Sequence, residues 1–269
     1  MHVEPTKVSS TRELIVPGDT RATLHFAACH FLQLANSSIE NYGKFVVALS
    51  GGSTPNAIYS SLEKLGSKTD WSRVHLFWGD ERAVPPDHPD SNYRAAMNSG
   101  LQNLPIPDKQ IHRMIAEKNI EKEAENYEAL IRRESTGNAS FDLVMLGVGE
   151  DGHIASLFPN TAGLHESSRW VIANEVRQKD TIRMTITYPC IRAAKAVVIY
   201  AMGKAKQSII SNVLHSTPTS KWPASEIGTD THPVLWIVDN DAIAAYYKSQ
   251  DSPISVSYTH LRAHETRHD

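Results

Sequence analysis

The sequence contains few cysteines, no long apolar stretch and no block of like charge. Only two of its 269 residues are cysteines, Cys29 and Cys190, and neither belongs to a CxxC or Cys/His ligand pattern. This argues against a disulfide scaffold or a cysteine-based zinc site and predicts two free thiols in a reducing compartment. No apolar run approaches the ~20 residues that span a bilayer, and Met1–Ser10 lacks the apolar core of a signal peptide. We therefore expect a cytoplasmic protein without a membrane partner.

The charges are nearly balanced and scattered along the chain. With 27 Lys and Arg against 30 Asp and Glu, the formal net charge is −3. This distribution argues against a nucleic-acid partner, so any positive charge that binds a ligand must be local. A hydrophobic fraction of 41% is that of an ordinary globular protein. The length predicts one large domain or two closely packed lobes. We expect a single domain that covers residues 1–254.

Short apolar runs alternate with helical patterns along most of the chain. This rhythm predicts an α/β fold with a largely parallel sheet between helices. The predicted strands are Phe45–Leu49, Val74–Trp78, Phe141–Leu146, Trp170–Ala173, Ala196–Ala201 and Val234–Val238. The predicted helices, from apolar positions near a 3.6-residue spacing, are Thr20–Ala35, Pro55–Leu65, Ile120–Arg133 and Lys204–Leu214.

The first segment with the composition of a ligand site is Ser50-Gly51-Gly52-Ser53-Thr54, directly after a predicted strand. Glycines let the backbone approach a ligand, Ser or Thr can cap the next helix, and free N–H groups at a helix start attract anions. Because the loop lacks the GK[ST] ending of a nucleotide P-loop, it predicts a cradle for a monophosphate rather than for ATP. An ordinary strand-to-helix turn with good caps is the alternative.

A charged cluster, Asp80-Glu81-Arg82, follows the predicted strand Val74–Trp78. Open α/β sheets place their ligand crevice at such strand ends. Arg82 could therefore clamp an anionic substrate through its planar guanidinium, with Asp80 and Glu81 orienting it. A surface turn with an Asp–Arg pair is the plainer alternative. Ser91 is a candidate cap for a helix that begins beside it.

The third segment reads Gly147-Val148-Gly149-Glu150-Asp151-Gly152-His153 and matches the spacing of a dinucleotide-binding GxGxxG loop. We disfavour nicotinamide binding, because Glu150 and Asp151 would place negative charge against the pyrophosphate and Pro159 interrupts the helix that it needs. Asp151 and His153 instead lie two residues apart at the end of a predicted strand. A histidine there, with a neighbouring carboxylate, suits a general base, although a lone histidine is more often structural.

Together these segments resemble those of the 6-phosphogluconolactonases. SGGSTP, WGDER, the SNY that follows it and LGVGEDGHIASLFP occur in the order seen in that family. Arg183-Met184-Thr185 and Gly203-x-x-Lys206 resemble later family segments, so the likeness covers roughly Glu13 to Tyr246. The resemblance implies the three-layer αβα fold shared by sugar-phosphate isomerases and glucosamine-6-phosphate deaminases.

The resemblance also implies an activity, hydrolysis of 6-phospho-D-glucono-1,5-lactone to 6-phospho-D-gluconate in the oxidative pentose phosphate pathway. It makes His153 the base that activates water, with Asp151 and Arg82 beside it. The implied phosphate or carboxylate ligands are Ser50, Gly51, Gly52, Ser53, Thr54, Asp80, Arg82, Arg183 and Lys206; which cation holds which group stays open. Because a lactone carbonyl is already electrophilic, we expect no metal and no cofactor, and a small sugar-phosphate lactone as the partner.

Two alternatives remain on the same fold. Deaminases of this superfamily resemble HIAFNEP after the histidine, whereas this chain reads His153-Ile154-Ala155-Ser156-Leu157-Phe158-Pro159 and lacks the glutamate that assists ring opening. A non-catalytic sugar-phosphate sensor would keep the phosphate site and lose the base, and the retention of His153, Asp151 and Arg82 argues against it. A turnover assay separates these alternatives.

The last residues, Ser255–Asp269, break the α/β rhythm. They carry His260, His264 and His268 at a spacing that could mimic a metal-binding helix face. However, SYTHLRAHETRHD resembles translated sequencing-adapter read-through. We therefore expect residues 255–269 to be a non-native tail and the native C-terminus to be missing.

Overall fold

A computed structural model describes residues 4–135, 137 and 139–250, and the expected non-native tail lies outside them. The described part of the chain contains seven α-helices and eleven strands. The helices are Thr20–Tyr42 (α1), Ser53–Leu65 (α2), Asn92–Asn98 (α3), Ile120–Glu134 (α4), Tyr188–Arg192 (α5), Gln207–His215 (α6) and Asn240–Lys248 (α7). The strands are Thr6–Ser9 (β1), Arg12–Ile15 (β2), Phe45–Leu49 (β3), Val74–Trp78 (β4), Asp80–Arg82 (β5), Ile111–His112 (β6), Leu143–Leu146 (β7), Val171–Val176 (β8), Thr181–Ile186 (β9), Val197–Ala201 (β10) and Val234–Val238 (β11).

Eight strands form the central sheet, in the order β1-β2-β11-β10-β7-β3-β4-β6. The seven neighbouring strands β2, β11, β10, β7, β3, β4 and β6 pair in parallel. Strand β1 joins β2 as an antiparallel hairpin at the edge of the sheet. Helices cover both sides of the sheet. All five residues of β3 are buried, and a strand buried on both faces reads as a continuous apolar run. The predicted α/β class with a largely parallel sheet is confirmed.

A second, antiparallel sheet has the order β5-β9-β8. The prediction that a strand near Trp170–Ala173 belongs to the parallel sheet is therefore wrong. That strand, β8, pairs with β9 along its whole length. Only residues 177–180 separate the two strands, with Asp180 in the left-handed region at φ 49°. So short a connection can join antiparallel strands, whereas parallel strands need a crossover of a dozen or more residues.

Several predicted helix boundaries shift. The predicted helix Thr20–Ala35 continues to Tyr42 and ends at Gly43, whose φ of 79° and N–H bond to the carbonyl of Ile39 form a left-handed C-cap. The predicted helix Lys204–Leu214 instead begins as a 3-10 turn over Lys204–Lys206 before α6. No helix in the described part of the chain is long and apolar enough to cross a membrane.

The order of strands in the central sheet reverses between β3 and β7. From β3 the chain continues to β4 and β6 on one side, and from β7 it continues to β10 and β11 on the other. Ligands of open α/β sheets bind outside the carboxyl ends of the strands at such a switch point. Here the carboxyl ends lead into Ser50 and Gly147, the first residues of two of the glycine-rich loops.

Two partly buried histidines outside the two glycine-rich loops resist protonation. Burial lowers the pKa of His30, on α1, to about 4. Burial, followed by repulsion from His75, lowers the pKa of His112 to about 4 as well. His30 Nδ1 is buried without a hydrogen-bond partner in the described residues, so a charge there would be poorly solvated.

We expect the free energy of unfolding to fall as pH drops from about 6.5 to about 4. In this range the two histidines bind protons in the unfolded chain but stay neutral in the folded protein. For His30 the expected loss between pH 7 and pH 5 is about 2 kcal/mol. Urea unfolding of His30→Gln at both pH values should therefore show a smaller loss than the parent protein. His25→Gln, an exposed position on the same helix, is the matched control. Equal losses in parent and His30→Gln would contradict the expectation.

Candidate active site

A cavity of about 250 Å³ opens at the carboxyl edge of the central sheet, at the switch point. It is lined by Ser50, Gly51, Gly52, Ser53, Thr54, Pro55, Asp80, Arg82, Asn92, Gly147, Val148, Gly149, His153, Ala155, Arg183, Tyr200 and Lys206. The structure therefore brings together every residue of the sequence-predicted site except Glu81, which faces α3, and Asp151, which contacts His153 from outside this lining.

The glycine loop leads into α2 without a side-chain cap, so the expected Ser or Thr cap is wrong. Gly52 is the N-cap residue, with φ 105°, a conformation that disfavours any residue with a Cβ. The first backbone N–H groups of α2 are thus left for a ligand, and the positive end of the helix dipole favours an anion there. Gly51 is equally constrained, since a Cβ at this position would lie 2.0 Å from Oδ1 of Asn92.

Hydrogen bonds hold the start of the glycine loop to helix α2 and to the end of β7. The N–H of Ser50 donates to the Tyr59 hydroxyl at 3.0 Å, and that hydroxyl donates to the Ser50 carbonyl at 2.8 Å. The N–H of Gly147 donates to Oγ of Ser50 at 3.2 Å. The ends of β3 and β7 are therefore tied together at the point where the cavity opens.

His153 is paired with Asp151 through a 2.5 Å contact between Nδ1 and Oδ1. Burial raises the pKa of Asp151, but the hydrogen bonds and charge of His153 outweigh it and leave that pKa below its ordinary value. An ionised carboxylate can only accept, so Nδ1 carries a proton, and in the neutral imidazole the lone pair then lies on Nε2. The imidazole also stacks on the buried ring of Phe158, with ring centroids 3.9 Å apart. These two contacts fix the tautomer and the plane of the ring.

Arg82 and Arg183 lie directly opposite each other in the β5–β9 pair. In each the Nε atom is buried without a hydrogen-bond partner among the described residues, while Nη1 of Arg82 donates to the carbonyl of Asp90. Burial lowers the pKa of Arg183; the charge of Asp80 opposes this and the charge of Arg82 adds to it. Two adjacent cations with free N–H groups in a cavity favour an anionic ligand.

Glu81 does not orient the guanidinium of Arg82, contrary to the sequence-based expectation. Its two carboxylate oxygens accept hydrogen bonds from Ser91 Oγ, from the backbone N–H groups of Asn92 and Tyr93, and from the N–H of Arg82. Glu81 thus holds the start of α3. Burial raises its pKa, although the backbone hydrogen bonds oppose the rise. Ser91 caps α3 as predicted, accepting from the N–H of Arg94 at 3.1 Å.

Asp80 links the loop that follows His153 to the start of α3. Its Oδ2 accepts from Ser156 Oγ at 2.5 Å, and its Oδ1 accepts from Nδ2 of Asn92 at 3.1 Å. The N–H of Ser156 donates in turn to Oγ1 of Thr185 at 3.1 Å. These bonds anchor the loop after His153, in which Ala155 adopts φ 45°.

Lys206 reaches the cavity from the 3-10 turn that follows β10. Its ammonium donates to the carbonyl of Val148 at 2.9 Å, next to the loop that carries His153. Gly203 starts this turn with φ 88°, and its N–H donates to the carboxylate of Asp239 at 3.0 Å. The bond to Asp239 therefore fixes the start of the turn, and the ammonium of Lys206 lies next to the loop that follows β7.

Sequence reasoning missed several lining residues. Asn92 belongs to the SNY string, but its amide contact with Asp80 depends on packing of α3 against β5. Tyr200 is the penultimate residue of an apolar run, VVIYA, and a hydroxyl near the carboxyl end of a strand was the only signal. Within the described residues, no three His, Cys, Asp or Glu side chains are grouped so that they could hold a metal ion.

The chain matches a family model described as glucosamine-6-phosphate isomerases/6-phosphogluconolactonase over residues 18–236. The 6-phosphogluconolactonase of Chlamydia muridarum is 41% identical over 239 residues, which cover 88% of this chain and 92% of that protein. The protein of the same name from Synechocystis is 36% identical over 212 residues, covering 76% of this chain and 86% of the relative.

Solved structures are also similar to this chain. The crystal structure of 6-phosphogluconolactonase from Thermotoga maritima superposes with a TM-score of 0.72 at 28% identity, covering 84% of this chain and 98% of that one. A monomeric glucosamine-6-phosphate deaminase superposes with a TM-score of 0.74 at 18% identity, covering 86% and 99%. The second likeness shows the fold alone.

Proposed function

Because the chain belongs to the glucosamine-6-phosphate isomerase/6-phosphogluconolactonase family, we propose that it hydrolyses 6-phospho-D-glucono-1,5-lactone to 6-phospho-D-gluconate. The observation that carries the proposal is the placing of a histidine with a free Nε2 lone pair in the same cavity as the uncapped start of α2. The first feature can take a proton from water. The second can bind a phosphate.

His153 acts as the general base. Nε2 removes a proton from water as the water oxygen attacks the lactone carbonyl carbon, and the same proton can then pass to the ring oxygen as the ester bond breaks. Asp151 accepts from Nδ1–H throughout, so it holds the tautomer and stabilises the imidazolium that forms. Phe158 keeps the ring in its plane.

The cations and the glycine loop bind the negative charges. Ser50, Gly51, Gly52, Ser53 and Thr54, with the start of α2, hold the phosphate, and Lys206 and Arg183 neutralise it. Arg82, in the same cavity, supplies positive charge that can stabilise the oxyanion developing at the lactone carbonyl. Asp80 restrains the loop that carries the base through Ser156 and moderates the repulsion between the two arginines.

The residue after Leu157 favours lactone hydrolysis over deamination. Aligned on the histidine, the glutamate of HIAFNEP corresponds to Phe158, whose buried apolar ring stacks on His153. No carboxylate is therefore available at that position for ring opening of an amino sugar. We also propose a cytoplasmic location, which the free thiols of Cys29 and Cys190 support.

Purified protein added to freshly made 6-phosphoglucono-1,5-lactone should release acid far faster than spontaneous hydrolysis, as followed by a pH indicator or by coupled oxidation of the product. The same preparation should release no ammonia from glucosamine 6-phosphate. Spontaneous-rate hydrolysis by well-folded protein, judged by circular dichroism, would remove the proposal. Ammonia release without acid release would favour the deaminase alternative.

A further inference from the structure

Tyr200 carries a buried hydroxyl that nothing described so far explains. It is the penultimate residue of β10 and is 1% exposed, yet it lines the cavity. Its hydroxyl is fully buried and has no hydrogen-bond partner among the described residues. Buried tyrosine hydroxyls normally find a partner, since an unpaired one forfeits its hydration. We therefore expect the hydrogen-bond partner of this hydroxyl to be a ligand bound in the cavity.

The register of the central sheet places Tyr200 beside the end of β7, next to the glycine loop. In the parallel pairing of β10 with β7, Ile199 is level with Leu146, so Tyr200 lies next to Gly147. Gly147 contributes no side chain, and its N–H is bonded to Ser50 Oγ, at the start of the glycine loop. Tyr59, the other buried tyrosine at this loop, already bonds the backbone of Ser50 on both sides, whereas Tyr200 does not.

The phenol can act only as a neutral partner. Burial raises the pKa of Tyr200 above its ordinary value, so the hydroxyl keeps its proton at every working pH. The neighbouring lining groups are mostly donors, namely the N–H groups at the start of α2 and the ammonium of Lys206. A ligand oxygen attracted by those donors would also accept from the phenol.

We propose that Tyr200 is a specificity-determining residue whose hydroxyl donates a hydrogen bond to a phosphoryl oxygen of the bound sugar phosphate. The assignment rests on the proposed function only in taking a sugar phosphate as the ligand. A phosphoryl oxygen, rather than a sugar hydroxyl, is favoured because Tyr200 is next to Gly147 in the sheet, and Gly147 is bonded to Ser50 at the start of the glycine loop that leads into α2.

Tyr200→Phe removes the hydroxyl and keeps the buried ring. Calorimetric titration should show affinity for 6-phosphogluconate falling about tenfold or more, with a similar factor for inorganic phosphate, because a hydrogen bond to a charged group is lost. Binding of unphosphorylated gluconate should not change. The Tm of the unliganded variant should rise by about 2 °C, since an unpaired buried polar group has been deleted.

Tyr188→Phe is the matched control. Its hydroxyl donates to the carbonyl of Pro223 at 3.2 Å, away from the cavity lining, so this variant should lose Tm and keep ligand affinity. Unchanged affinity of Tyr200→Phe for 6-phosphogluconate and phosphate would overturn the proposal, and so would an equal loss for gluconate. Because these are binding measurements, they decide the role of Tyr200 even if the parent protein shows no lactone turnover.

Discussion

Replacement of His153 by alanine should lower turnover of the phosphorylated lactone by roughly 10²–10⁴-fold, the usual contribution of a positioned general base. The imidazole is assigned to proton removal and not to ligand binding, so affinity for 6-phosphogluconate should stay close to that of the parent protein. The loss should therefore fall on kcat rather than on KM. Steady-state kinetics with freshly made lactone, together with calorimetric binding of the product, measure both quantities.

A matched control separates this loss from a general effect of removing a histidine. His25→Ala, at an exposed position on α1, should leave the rate unchanged. The carboxylate of Asp151, whose pKa lies below its ordinary value, should keep its contact with Nδ1 in the parent protein. Near-normal turnover in a well-folded His153→Ala variant would return this histidine to a structural role.

The parallel part of the sheet could be predicted because its strands are buried on both faces. Three predicted strands, Phe45–Leu49, Val74–Trp78 and Val234–Val238, have the same bounds in the structure. The second sheet could not be placed in this way. Its strand β9, Thr181–Ile186, mixes exposed and buried residues, and its pairing with β5 depends on Gly79, which links the end of β4 to both sheets.

The location of the site followed from local sequence, because glycines and charges at strand ends meet at one edge of a parallel sheet. The hydrogen-bond partners of the side chains within the site could not be predicted in this way. Glu81 follows Asp80 directly, and successive side chains of a strand point to opposite faces. Glu81 accepts from backbone N–H groups at the start of α3, whereas Asp80 accepts from the side chains of Asn92 and Ser156. Such differences depend on which element packs against each face, and a single sequence does not encode that contact locally.

Asp151 is a site residue that the sequence reveals, whereas Tyr200 is one that only the structure reveals. A carboxylate two residues before a histidine is visible in the sequence, and the turn at Gly152, with φ 80°, brings the two side chains together. Tyr200 carries no such local mark. Its importance rests on an unpaired hydroxyl, and only the three-dimensional surroundings can show that a hydroxyl lacks a partner.

Lys206→Met should raise KM for the phosphorylated lactone by roughly ten- to a hundred-fold, the equivalent of the about 1.5–3 kcal/mol that a charge-assisted contact contributes. Methionine keeps much of the apolar stem of lysine and removes the ammonium. Turnover of unphosphorylated gluconolactone should change far less, because that substrate presents no phosphate to the missing charge. Parallel kinetics on the two lactones therefore read the contact directly.

The same variant also loses the hydrogen bond from Nζ to the carbonyl of Val148, so a shift of the loop that carries His153 must be separated from the loss of charge. A displaced loop would lower kcat for both substrates, whereas a missing phosphate contact raises KM for one of them. Lys204→Met, an exposed lysine in the same turn, is the matched control and should change neither. The difference between the substrates should also shrink as ionic strength rises, because salt screens the attraction between the ammonium and the phosphate. Equal losses for both lactones at every salt concentration would mean that Lys206 positions the loop and does not bind the phosphate.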